Sequence, residues 1–146
     1  MKKLTIAALG VAVSAAAVAA STPQEVIKQA YVAESYSHLA TPQFQKLIKQ
    51  ANRIADKVDP EMGCELFEHY NMGIGNGGAP DNIANNLKIK KIKPNVYRAR
   101  YKGFDGKWTE GADFTVLCKN GSCKISDVGS AKAVYREIIK KRSCGY

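Results

Sequence analysis

Leu117-Cys118-Lys119-Asn120-Gly121-Ser122-Cys123-Lys124-Ile125 decides how the second half of this chain folds. Asn120-Gly121 is the dipeptide of a type I′ turn, whose two central residues must both take φ > 0. A two-residue loop there makes Lys119 and Ser122 the hydrogen-bonded pair next to the turn. Cys118 and Cys123 then face each other in the next, non-hydrogen-bonded pair, where side chains come closest. That separation suits a disulfide. Further out, Val116 faces Ile125 and Phe114 faces Asp127. Side chains alternate along a strand, so Phe114, Val116, Cys118, Cys123 and Ile125 share one face. This reading buries that face and puts Asp127 at the end of an apolar ladder.

Working outward, Thr109 to Cys118 and Cys123 to Val128 form the hairpin. Leu87 to Lys93 and Asn95 to Lys102 also alternate as strands do, with Pro94-Asn95 between them. Gly103, Gly106 and Gly111 mark a turn and a bulge. After the hairpin, Gly129-Ser130 caps a last helix whose stripe is Ala131, Val134, Tyr135, Ile138 and Ile139. At the other end, Thr22-Pro23-Gln24-Glu25 is a capping box with proline at the first helical position. Ile27, Tyr31, Glu34 and His38 follow on one helical face, beside Val26 and Ala30. Thr41-Pro42 starts a second helix with Phe44, Leu47, Ile48, Ala51, Ile54, Ala55 and Val58 at spacings of three and four, and Asp59-Pro60 ends it. Residues 61–86, around Gly73-Ile74-Gly75-Asn76-Gly77-Gly78 and Pro80, read as loop. The order predicts an α+β domain: N-terminal helices on a curved antiparallel sheet of about four strands, with a C-terminal helix.

The first twenty residues read as a signal peptide. Lys2 and Lys3 precede the uncharged run Ile6 to Ala16, and Ala17-Val18-Ala19-Ala20 offers cleavage before Ala20 or Ser21. A membrane anchor is the competing reading, but the run is alanine-rich and lacks a basic stop-transfer flank. No cysteine adjoins the cleavage point, which argues against a lipoprotein anchor. Cleavage leaves roughly 126 residues with no transmembrane segment, enough for one domain, residues 21–146, with its own core. The expected location is periplasmic or secreted, in a bacterium. All four cysteines lie in this part, and an even number in an exported chain predicts two disulfides. The hairpin favours Cys118–Cys123, leaving Cys64–Cys144, a long-loop bridge worth roughly 2–5 kcal/mol. A zinc site is the rival; the Cys-x4-Cys spacing sits at the loose edge of zinc patterns and no paired histidine follows.

Pro23 to Tyr31 leading into Leu39-Ala40-Thr41-Pro42-Gln43-Phe44, the polar middle loop, and the ending Asn120-Gly121-Ser122-Cys123-Lys124-Ile125-Ser126-Asp127-Val128 together resemble the nuclear-transport-factor-like, cystatin-like cone, in its bacterial envelope form. In that family an aromatic residue commonly stands where Cys123 stands here. The helix after the last strand and the extra cysteines depart from the pattern. The resemblance implies the cone fold; the superfamily spans isomerases, dehydratases, transport adaptors and binding modules, so it transfers no single function.

Gly73-x-Gly75-x-x-Gly78 matches a dinucleotide fingerprint, but no strand-helix-strand unit surrounds it and no cofactor is expected. Asp127, placed on the apolar face, reads either as a cavity base with His38 or Tyr31 as partners, as in isomerase-like relatives, or as a cap for the following helix. His69 with Glu65 and Glu68 could draw a metal, yet Gly63 and Gly73 leave little helix to hold it, so no metal is expected. No serine or cysteine nucleophile has local support, since bridged cysteines are inert.

Charge is the stronger clue. The chain carries +9, or about +7 without Lys2 and Lys3. Asp59, Glu61, Glu65, Glu68 and Asp81 stand in a stretch without lysine or arginine. Residues 87–108 then hold Lys88, Lys90, Lys91, Lys93, Arg98, Arg100, Lys102 and Lys107 against Asp105. Arg98, Arg100 and Lys102 share one face of their strand; Tyr97, Ala99 and Tyr101 share the other. Lys88, Lys90, Arg98, Arg100 and Lys102 are therefore the candidate binding residues, facing an acidic protein or an anionic envelope component. Lysine protection of an edge strand is the plainer account. Export argues against nucleic acid as the normal ligand. The expectation is a non-enzymatic exported binding domain, with an immunity or inhibitor protein fitting the size; inhibition of a host lysozyme fits poorly, because a basic target would be repelled. A small cone-fold enzyme using Asp127 and a structural envelope accessory protein are the alternatives.

Overall fold

The computed structural model describes residues 21–145, so the expected signal peptide lies outside the described residues. The first helix, α1 (Pro23–Ala33), opens with the predicted capping box: the Thr22 hydroxyl accepts from the Glu25 amide, and the Glu25 carboxylate accepts from the Thr22 amide at 2.8 Å. It closes earlier than the predicted face. Glu34 turns left-handed at φ 51°, so Glu34 and His38 leave the helix. His38 sits exposed in the turn Ser37–Leu39.

Helix α2 (Pro42–Val58) starts where Thr41 caps the Phe44 amide. It buries Phe44, Ile48, Ala51, Ile54 and Ala55 as its spacing predicts, but leaves Val58 exposed at its end.

Residues 61–86 are less loop-like than their glycines suggest. A one-turn helix α3 (Glu68–Asn71) and short turns at Gly63–Glu65 and Ile83–Asn86 carry Met72, Ile74 and Ile83 into the core. Distant groups hold them there. Tyr31 donates to the Met72 carbonyl at 2.9 Å and Tyr101 to the Gly73 carbonyl at 2.9 Å. One Glu68 oxygen accepts from the Ser35 hydroxyl and from the Tyr36 and Ser37 amides.

Strands β1 (Leu87–Lys93), β2 (Val96–Tyr101), β3 (Ala112–Lys119) and β4 (Ser122–Val128) form one antiparallel meander in that spatial order. The hairpin follows its predicted register from Lys119–Ser122 through Cys118–Cys123 to Val116–Ile125. There it departs. A bulge puts Thr115 opposite Asp127 and Phe114 opposite Val128. The extra residue reverses the parity of the last positions, so Val128 is fully buried and the Asp127 carboxylate stays off the apolar face. Burying an aliphatic group in place of a carboxylate is the physical reason.

Helix α4 (Ala131–Lys141) buries Ala131, Tyr135 and Ile138; Val134, predicted in the stripe, is exposed. Ser130 makes no capping bond. Asp127 does that work, accepting from the Val128 amide at 2.8 Å and the Lys132 amide at 3.0 Å.

The molecule is α+β, with helices on one face of the sheet. Tyr97, Ala99, Tyr101, Ala112, Phe114, Val116, Cys123, Ile125 and Val128 form the sheet's side of the core. Against them pack Ile27, Tyr31, Tyr36, Phe44 and Tyr135, all at most 1 % exposed. Cys118–Cys123 and Cys64–Cys144 are both bridged, as expected. The free side of β4 is partly covered, since Ser21 donates to the Gly121 carbonyl and Thr41 to the Ile125 carbonyl. Strand β1 is the open edge, studded with lysine.

Candidate functional site

The outer face of the sheet carries no helix. Antiparallel pairing sets Lys88 directly opposite Arg100 and Lys90 directly opposite Arg98, while Ile89 and Ala99 point to the core between them. Two like-charged pairs thus stand side by side on one exposed face, an arrangement that costs stability when nothing compensates it. Edge protection explains the lysines of β1. It does not explain cations on β2, an interior strand.

Both arginines turn out to be engaged. Arg98 forms a two-pronged ion pair with Asp113 across the β2–β3 register, at 2.7 and 2.9 Å, which raises the guanidinium's already high pKa further. Arg100 donates to the Thr109 carbonyl. Lys88 places its ammonium 4.1 Å above the ring of Trp108, the chain's one tryptophan. Among the described residues, Lys90, Lys102 and Lys107 meet no carboxylate within ion-pair distance. All five predicted binding residues are exposed. No sequence pattern places Asp113 and Trp108 on this surface, because their place in it depends on the β2–β3 pairing and the fold of the intervening loop.

The alternative catalytic set does not assemble. The Asp127 carboxylate caps α4, the Tyr31 hydroxyl is buried against Met72, and His38 is exposed. Among the described residues no hydrogen bond joins any two of the three. Under the sheet the Tyr31 ring packs 5.9 Å from that of Tyr101 and 5.7 Å from that of Phe114. Among the described residues His69, Glu65 and Glu68 do not come together as a ligand cluster. Glu68 holds the α1–α2 connection, and the His69 ring lies 4.6 Å from that of Tyr70. Asp59 neighbours Cys64 and Cys144, but their sulfurs are bridged and its oxygens accept from the Met62 and Cys64 amides. In the glycine-rich segment, Ile74 is core and the Gly73 carbonyl is bound by Tyr101.

Tyr36 and Tyr135 form a second buried aromatic group beside Phe44. The Tyr36 and Tyr135 hydroxyls lie 2.6 Å apart, and Asn71 donates to Tyr36. Burial pushes Tyr135 up to about 12, and burial followed by the neighbouring hydroxyl pushes Tyr36 higher still; burial and then Tyr101 raise Tyr31. Unfolded tyrosines ionise near pH 10. The unfolded chain therefore loses these protons first, so this stabilisation is complete below about pH 10 and declines as pH rises from there through the folded values. In an alkaline titration, the phenolate absorbance of Tyr31, Tyr36 and Tyr135 is expected to appear only together with loss of tertiary circular dichroism. Their ionisation in the folded protein would contradict this packing.

No family model, curated protein or solved structure matches this chain.

Proposed function

We propose that this chain is an exported, non-enzymatic binding domain, periplasmic or released, whose basic sheet face docks an anionic partner, an acidic protein or an anionic envelope component. The observation that carries the reading is the clustering of Lys88, Lys90, Arg100 and Lys102 on a face with no covering element, with Lys88 directly opposite Arg100 and, among the described residues there, only Arg98 balanced by a carboxylate, that of Asp113. An opposing anionic surface would offset its repulsion. Two disulfides fit an oxidising compartment, and no helix among the described residues is long and apolar enough to cross a membrane. The two N-terminal helices over an antiparallel meander support the cone resemblance as part of this proposal. An immunity or inhibitor protein with an acidic target is one form the function would take.

The direct test uses polyglutamate as a soluble polyanion. The protein is expected to bind it at low ionic strength and to release it as salt screens the charges. Lys88→Glu/Lys90→Glu is expected to weaken binding at least tenfold. Lys46→Glu/Lys49→Glu, an equal charge change on the exposed side of α2, leaves it within about twofold. Equal losses from both pairs would mean that net charge, and not this face, does the binding.

A further inference from the structure

Phe104 is 76 % exposed, more than any other large apolar side chain described. It stands at the tip of the β2–β3 loop, and that loop is not slack. The Gly103 amide donates to the Lys107 carbonyl at 2.8 Å, and the Gly106 amide to the Gly103 carbonyl at 3.0 Å. The Lys107 amide donates to the Asp105 carboxylate, and Lys102 bridges to Trp108 at the base. The loop is a small, closed hairpin end that holds one phenyl ring out in water.

Its surroundings are basic and amphipathic. Lys102 and Lys107 flank the loop. Lys88, beside Arg100 at the adjoining end of the sheet, reaches over the half-buried Trp108, and Lys90 follows one pair further along. Three acids lie nearby against these cations: Asp105 binds the loop's own backbone, Asp113 binds Arg98, and the exposed Glu110 lies close enough to Arg98 to act on its charge.

We propose that this end of the basic face docks on an anionic lipid bilayer, with the Phe104 ring entering the interface, Trp108 at headgroup level, and Lys88, Lys90, Lys102 and Lys107 over the phosphates. This names the partner of the face proposed above and rests on that reading. Three observations favour a bilayer over a folded acidic protein. Cores of protein interfaces are depleted in lysine and favour arginine, yet here both arginines are already engaged and the available cations are lysines. A single protruding ring gives no extended apolar patch for a protein partner to bury, whereas it suffices to enter a lipid interface alongside several lysines. Clustered lysines with an interfacial tryptophan match the needs of a diffuse anionic surface.

The experiment is sedimentation with vesicles of phosphatidylcholine alone or mixed with phosphatidylglycerol, read also by emission of Trp108. The protein is expected to bind the mixed vesicles with a blue shift, to ignore phosphatidylcholine alone, and to dissociate near about 0.5 M salt. Phe104→Ser, at a site too exposed to disturb folding, is expected to weaken binding about tenfold. Lys102→Glu/Lys107→Glu is expected to abolish it, and Lys46→Glu/Lys49→Glu to change it little. Full binding by Phe104→Ser, or equal binding to both vesicle types, overturns the proposal. Failure on vesicles with retained, Lys88- and Lys90-dependent binding to polyglutamate overturns the bilayer and leaves the basic face standing. Failure on both removes both.

Discussion

Gly111→Ala is expected to lower the unfolding free energy by about 3 kcal/mol or more, because strain and overlap add at one atom. Gly111 has φ +93°, in the left-handed region that non-glycine residues avoid. A Cβ built there lies 2.4 Å from the Ala99 carbonyl oxygen and 2.7 Å from Arg100 Cγ. The arginine stem can shift only by disturbing its bond to the Thr109 carbonyl. The Ala99 carbonyl cannot move without opening the sheet, since Ala99 pairs with Ala112, the residue after the glycine. Gly106→Ala is the matched control. Its φ is +74°, but a Cβ there meets nothing within 4 Å, so its cost is expected to stop near about 1 kcal/mol. Urea denaturation of the two variants separates the contributions: equal losses would mean that the close approach of β2 and β3 relaxes freely. The same substitution bears on function, because it moves the stretch that keeps Arg98 on Asp113 and Arg100 on Thr109. A Gly111→Ala protein that remains folded is expected to present a rearranged cationic face.

What the sequence revealed and what it hid follow from the range of the interactions. The capping box at Thr22, the helix of Phe44 to Ala55 and the turn at Asn120-Gly121 are all specified within a few residues, and each is found. The basic outer face follows from alternation alone, so it too was legible. The bulge was not, although its signal was present: Ile125 and Val128 are both apolar and three apart, which no unbroken strand can place on one face. Carrying the two-residue period through that point put Asp127 on the wrong side and made a helix cap look like a catalytic candidate. Gly73 to Gly78 and Pro80 do form a loop, but the order of the rest of residues 61–86 was not legible, for a different reason. Their order comes from partners far along the chain, Tyr31, Glu68 on Tyr36, and Tyr101, and no local pattern encodes a hydrogen bond across such separations. Phe104 carries no such signal, because one aromatic between glycines has no period. Its exposure is a property of the closed loop.

The long disulfide gives the other large effect. Replacing Cys64 and Cys144 by serine is expected to cost about 4–5 kcal/mol, from the entropy returned to the unfolded chain when a loop of this length is opened. The bridge spans a sequence separation of 80, whereas Cys118–Cys123 spans 5. The same relation gives only about 2 kcal/mol for the short bridge. Native packing points the same way. Cys118–Cys123 lies across a turn whose register is already set by Asn120-Gly121 and the Val116–Ile125 pair. Cys64 instead belongs to a small separate cluster with Ile54, Ala55 and Ile138, and its bridge holds the end of α4 against the end of α2. The ion pair described nearby, Lys141–Glu137, is a surface pair within α4 itself and does not tie the two helices together. A domain of this size has about 5–15 kcal/mol in hand, so the Cys64→Ser/Cys144→Ser protein is expected to be marginal at 37 °C, and the Cys118→Ser/Cys123→Ser protein to remain folded. Denaturant titration of both under oxidising conditions decides it, and a larger loss from the short bridge would overturn the ranking. Because the affected cluster lies on the helical side, the long-bridge variant is also expected to keep polyglutamate binding at temperatures where it stays folded, while losing it with a sharply lowered midpoint on warming.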